Sequence, residues 1–304
     1  MKAIAEFAMR GRFQALLLTL AGSGSILFCW ISAAVLALVT LRKGVGNGAQ
    51  LLLWALLPSG VVLYTTGDSG PLALLLGTML MAVVLRTTVS LPLAVLASLA
   101  TGALAGVVVL TLGGHYLDQM VAVFGEFLAQ LELQLSQGGE TVELTRPTAV
   151  QIAGMLGAGT AMMSVLCLLL ARYWQAELYN PGGFGEEFRQ LRYTPGVATA
   201  LALVAVAISA LGAEYRTWAI IGMLPLNFAG LALVHARVRS RGQGSGWLFG
   251  FYTAWLILDP VKLMVVFVAI ADSWFDFRQR WTGLHKPGPG KPKSGKDVRD
   301  DEDE

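Results

Sequence analysis

One stretch of this chain, Val89–Leu112, contains no charged residue at all. About 20 apolar residues suffice for a helix to cross the hydrocarbon of a bilayer, and this run is longer than that. Apolar segments recur at 14–27, 30–41, 49–64, 71–86, 89–112, 149–174, 196–213, 218–237, 246–258 and 260–275, separated by short polar punctuation. A single water-soluble core cannot hide so many. Charged residues make up 14% of the chain, whereas soluble domains carry roughly 25%, so little of its surface is built for water. The expected fold is all-α: a polytopic transmembrane helix bundle of eight to ten membrane segments, half-helices included, over residues 1–281. Residues 282–304 read as a disordered tail, Pro-, Gly- and Lys-rich at first and wholly acidic over Asp300–Glu304, with nothing to bury.

The cations order the segments. Lys2, Arg10 and Arg12 lie before the first; Arg42 and Lys43, Arg86, Arg172 to Arg192, and Arg237 to Arg241 mark alternate loops. The opposite loops hold mostly acids: Asp68 in one, and Asp118, Glu126, Glu132, Glu140 and Glu143 against a lone Arg146 in the other. By the positive-inside rule both termini lie in the cytoplasm, and the expected location is a bacterial cytoplasmic (inner) membrane. The apolar sequence runs straight past Ala21-Gly22-Ser23, so the N-terminal segment reads as a retained anchor, not a cleaved signal. Two breaks keep the alternation of loops intact. One is at Gly22-Ser23-Gly24; the other is a turn at Asp259-Pro260, which would return the chain to the cytoplasm, proline lacking a backbone N–H. Within the outer loop 113–148, Leu117, Met120, Val121, Phe124, Phe127, Leu128, Leu131 and Leu135 recur at helical spacing. They predict an amphipathic helix ended by Gly138-Gly139, lying at the membrane boundary as a cap or a gate.

Small residues recur every fourth position in two segments: Ala94, Ser98, Gly102 and Gly106, and Ala153, Gly157 and Ala161. Such faces let helix backbones approach closely in lipid, either within one bundle or against a partner subunit. Polar groups inside apolar segments are the next signal. Asn227 follows Pro225, and Asp259 and Lys262 flank the proline turn near Trp255. Ionisable groups at membrane depth are costly and often functional, so Asn227, Trp255, Asp259 and Lys262 form a candidate ligand cavity. The bland alternatives are that Asn227 satisfies the backbone group freed by Pro225, and that the turn is simply solvated. Asp272 and Asp276 are expected to pair with Arg278. Cys29 and Cys167 sit among apolar neighbours and read as small buried side chains. No metal-ligand spacing, Walker-type phosphate loop or protease arrangement stands out, so the expectation is a non-enzyme without a cofactor or nucleic-acid partner. Any ATPase energising it would be a separate polypeptide.

The loop 175–195 carries the most distinctive pattern. Trp174 is followed by Asn180-Pro181-Gly182-Gly183-Phe184, then Glu187-Phe188 and Leu191-Arg192. The Asn-Pro-Gly-Gly core is a strong turn former. Beyond it a short helix would present Phe184, Phe188 and Leu191 on one face and Glu187 and Arg189 to water, either as a rigid elbow on the bundle floor or as a docking surface. Together with Arg10-Gly11, Leu41-Arg42-Lys43-Gly44 and Asp272 to Arg278, this loop resembles the signature of the YybS-like family of bacterial membrane proteins, over about residues 5–281. That family is similar in architecture to the substrate-binding membrane subunits of energy-coupling-factor transporters. The resemblance implies a compact bundle with a ligand cavity open to the outside, the ligand unspecified. Two functions are therefore expected. The first is a transporter-like small-molecule-binding subunit. The alternative is a membrane scaffold or assembly factor, with Trp174, Asn180, Pro181, Gly182, Gly183, Phe184, Phe188 and Arg192 contacting a membrane or cytoplasmic protein.

Overall fold

The structure, a computed structural model, describes residues 2–136 and 143–283. Every regular element among them is helical. In chain order these are α1 (Lys2–Arg10), α2 (Arg12–Ser23), α3 (Cys29–Lys43), α4 (Val45–Thr66), α5 (Gly70–Thr88), α6 (Leu91–Leu96), α7 (Ser98–Leu112), α8 (Gly114–Leu135), α9 (Ala149–Tyr179), α10 (Gly183–Arg189), α11 (Pro195–Ala210), α12 (Arg216–Ser240), α13 (Ser245–Ile257), α14 (Asp259–Phe275) and α15 (Phe277–Gly283). A 3-10 turn, Ala213–Tyr215, leads into α12. Five helical stretches are long and apolar enough to cross a membrane: α4, α5, α6 with α7, α9, and α12 with its leading turn. A sixth exists if α13 and α14 form one bent span. These apolar helices are consistent with a multi-pass membrane protein.

Two helices hold the bundle together. The spine is α9, which packs against α3, α5, α7 and α12. It starts at a capping box in which Thr148 and Gln151 each accept from the other's backbone N–H, satisfying two of the orphan donors at a helix start. On one side of it α3 is enclosed, with Ala33 to Leu38 fully buried. The guanidinium of Arg86 donates to the Thr40 and Leu41 carbonyls and closes the C-terminal end of α3. By contrast α4 turns Leu53, Trp54, Leu57 and Val61 outward. In hydrocarbon such a face has no reason to be polar.

The α7–α9 seam is tightly packed. A Cβ at Gly157 would stand 2.5 Å from the Gly102 carbonyl oxygen, and one at Gly102 would stand 2.9 Å from the Ala161 Cβ. A Cβ at Gly106 would meet the Ala153 carbonyl at 3.0 Å. Both small-residue ladders therefore face each other. Ala94 and Ser98, at their start, are also fully buried, which leaves neither ladder free for a partner.

Both anticipated breaks are present, with different shapes. After Ser23 the chain turns and α2 folds back on α3, where the Ser32 hydroxyl donates to the Thr19 carbonyl (2.8 Å). At Leu258 the axis swings by 112° between α13 and α14. The chain is bent well past a right angle there without forming a closed hairpin. The amphipathic helix expected in loop 113–148 is α8, seated through Leu117 on Val109, Ile152 and Ala153. It ends at Leu135; the Gly138-Gly139 stop lies outside the described residues, as does the tail from 284 onward. Loop 175–195 is mostly helical: α9 continues to Tyr179, α10 occupies 183–189, and α11 starts at Pro195.

Candidate functional site

The elbow after α9 builds a cavity. The Asn180 N–H bonds to the Ala176 carbonyl (2.7 Å) and ends α9. Gly182 then takes φ +87°, a left-handed conformation that glycine adopts at no steric cost, and the chain reverses into α10. Four rings around the elbow meet in three aromatic contacts. Tyr173 meets Phe184 edge-on (6.1 Å), Phe184 stacks on Phe188 (5.9 Å), and Phe188 meets His235 of α12 edge-on (5.5 Å). His235 Nε2 is hydrogen-bonded to the Tyr252 hydroxyl of α13 (2.7 Å). Between α9, the elbow, α12 and α13 lies a cavity of about 760 Å³, within the range of small-molecule sites. Its inner wall is Leu169, Leu170, Phe188 and Tyr252, and its rim carries Glu177, Glu186, Arg189 and Arg239. None of those four rim side chains is in an ion pair with another described residue.

A separate set of charges fixes the elbow in place. Arg192 pairs with Asp276 (2.5 Å), lies 3.9 Å from Asp272, and donates to the Ser273 carbonyl (3.1 Å). Arg278 pairs with the buried Asp272 (3.2 Å) and donates to the carbonyls of Leu191 (2.8 Å), Ala229 (3.4 Å) and Arg189. The C-terminal end of α14 is thereby tied to the elbow and to α12. Burial alone would raise the Asp276 carboxyl. The Arg192 hydrogen bond, the Gln279 N–H and the two guanidinium charges outweigh that and hold it below the usual carboxylate range. Tyr193 lies beside this lock, its hydroxyl donating to the Pro92 carbonyl (3.2 Å), and burial pushes its phenol above the usual value.

The residues singled out in the sequence part company here. Asn227 and Trp255 meet, the Trp255 Nε1–H donating to Asn227 Oδ1 (3.2 Å). That bond pins α13 to α12 next to the cavity; it does not line it. Asp259 and Lys262 pair with each other at the bend (2.8 Å), the Asp259 side chain 87% exposed, and lie away from the cavity. In the elbow, Gly182, Phe184 and Phe188 line the cavity. Trp174 is fully buried, Arg192 is occupied by the lock, and Gly183 begins α10, leaving Asn180, Pro181 and Gly182 exposed. Glu187, expected in water, pairs with Arg172 (2.8 Å). Asp276, expected to pair with Arg278, has Arg192 as its ion pair instead. Glu177, Glu186, His235 and Arg239 were not read as site residues. One signal was available: His235 and Arg239 stand four apart and so share a face of α12. Among the described residues no three His, Cys, Asp or Glu side chains gather as a metal site. Scans against family models, curated proteins and solved structures find nothing that matches this chain.

Proposed function

We propose that this chain is a multi-pass membrane protein that binds a small molecule in the elbow cavity, as the substrate-binding subunit of a transporter does. The supporting observation is the cavity itself: about 760 Å³, aromatic on its inner wall and charged at its rim, the mixture by which small-molecule sites combine affinity with orientation. On this reading the shorter helices α2, α3, α11, α13 and α14 also enter the bilayer and bring the count of membrane segments to eight to ten. Both termini and the elbow then lie on the cytoplasmic side of a bacterial inner membrane. The likeness of the elbow to the YybS-like signature belongs to the same proposal, with one change. The resemblance implies a cavity open to the outside, whereas this one opens at the basic end of the bundle.

The test is thermal unfolding of the detergent-purified protein against a library of vitamins, amino acids, nucleosides and amphiphiles. Leu170→Trp, which puts an indole into the inner wall of the cavity and narrows it, is run in parallel. The expected result is a class of compounds that raises the wild-type melting temperature and shifts the narrowed variant much less. A wild type that responds to nothing, or no more than Leu170→Trp does to the same compounds, overturns the proposal.

A further inference from the structure

The charges around the elbow cavity specify a class of ligand, an inference that rests on reading the cavity as a binding site. We propose that the occupant is a zwitterionic amphiphile, with a phosphate or carboxylate beside an amine in its head and an apolar tail lying along α9. At this end of the bundle the chain pairs its charges closely: Arg172 with Glu187 at 2.8 Å, Arg192 with Asp276 at 2.5 Å, Arg278 with Asp272 at 3.2 Å. Other cations at this end also lack an ion pair among the described residues, Arg42 lying over the Tyr179 ring and Arg237 over the Trp281 ring, but only at the rim do unpaired charges of both signs line the cavity. Glu177, Glu186, Arg189 and Arg239 surround one opening with no ion pair to any described residue. Two guanidinium groups present forked donors that suit phosphate or carboxylate, and two carboxylates accept from an ammonium. A purely anionic head would meet both carboxylates, and a purely cationic one both guanidiniums. Only a head carrying both signs leaves no rim charge opposed.

The tail follows from the surface of α9. Met163, Leu166, Leu170, Tyr173 and Glu177 are spaced three and four apart, which places them on one strip of the helix. Met163, Leu166 and Tyr173 are 38%, 45% and 42% exposed and Leu170 is half-buried, so neighbouring helices leave most of the strip open. From Glu177 to Met163 it runs roughly 21 Å at 1.5 Å per residue, against about 15 Å for half the hydrocarbon thickness. A head held at the rim can therefore lay its chain along α9 as far as the bilayer midplane.

The test is native mass spectrometry of the full chain released from nanodiscs containing equal phosphatidylethanolamine and phosphatidylglycerol, with soluble phosphoethanolamine as a competitor lacking a tail. Wild-type protein is expected to retain phosphatidylethanolamine about tenfold over phosphatidylglycerol, the size of one hydrogen bond to a charged group satisfied rather than opposed. Arg189→Gln with Arg239→Gln should lower that retention by about tenfold. Glu177→Gln with Glu186→Gln should erase the preference over phosphatidylglycerol, and phosphoethanolamine should fail to displace the lipid. Each variant is checked for an unchanged melting temperature; if the glutamine variants unfold, single Arg239→Lys and Glu186→Asp variants carry the same comparison. No preference in the wild type, variants that bind like wild type, or displacement by phosphoethanolamine alone each overturn the proposal. A wild type that ignores both lipids yet responds in the thermal screen removes this ligand class while leaving the cavity's binding role standing. Silence in both assays removes both.

Discussion

Replacing Arg278 by methionine should release the elbow. The guanidinium meets the Asp272 carboxylate at 3.2 Å and the carbonyls of Leu191, Ala229 and Arg189, and the Asp272 side chain is 2% exposed. With Arg278 gone, the nearest remaining cation to Asp272 is Arg192 at 3.9 Å, and the carboxylate keeps only the Phe277 N–H as a short bond (3.0 Å). Breaking a buried pair by removing one partner costs about 3–5 kcal/mol. The lost carbonyl bonds add to that and the surviving Arg192 subtracts, so the expected loss is about 4 kcal/mol, nearly a thousandfold in the unfolding equilibrium. Reversible unfolding in mixed micelles measures it. Hydrogen exchange should show faster opening across Tyr179–Tyr193 and no change in α3. Arg280, which is exposed and lies 6.0 Å from the Phe275 ring, is the control: Arg280→Met should stay within about 0.5 kcal/mol. Adding Asp272→Asn to Arg278→Met should recover part of the loss, because the stranded charge is then gone. An Arg278→Met protein within about 1 kcal/mol of wild type, with unchanged elbow exchange, would refute the reasoning.

Gly157→Ala places a methyl 2.5 Å from a backbone oxygen of α7. No rotamer relieves that contact, so the variant should lose about 1–3 kcal/mol by chemical unfolding, while Gly159→Ala, whose Cβ meets nothing within 4 Å, should not. Trp174 is fully buried and its Nε1–H has no hydrogen-bond partner among the described residues. Trp174→Phe removes that orphan donor and should unfold within about 1 kcal/mol of wild type, whereas Trp174→Ala should cost about 3–5 kcal/mol. Asp276 is held below its unfolded value of about 3.9. Its contribution is complete above that pH and fades as the pH falls through the lower folded value. Melting temperature followed from pH 6 downward should drop more steeply in wild type than in Asp276→Asn.

The fold was legible wherever hydrophobic run length alone decides structure. Helix covers most of every apolar segment read from the sequence, and the Gly22-Ser23-Gly24 and Asp259-Pro260 breaks occur because those residues punctuate a chain by local geometry. What was not legible depends on distant neighbours. The α1 helix looks like a short polar start until Ala5 and Ala8 are seen fully buried. The partner of Arg192 lies just past α14, and no periodicity connects the two segments. The site divides in the same way. The elbow's turn residues announced themselves, and Asn227 and Trp255 do come together. The cavity sits elsewhere because its rim is assembled from exposed and half-buried charges on three elements, each of which looks in isolation like an ordinary solvated end.

The clamp on the elbow also imposes an order in time. Arg278 is made 87 residues after the Leu191 carbonyl it holds. At a synthesis rate of about 5–20 residues per second, the interval is roughly 4–17 s. Throughout that interval α10 is held to α9 by the Arg172–Glu187 pair without the Arg278 tie, so the floor of the cavity gains its last fastening only after α11 to α14 have been made.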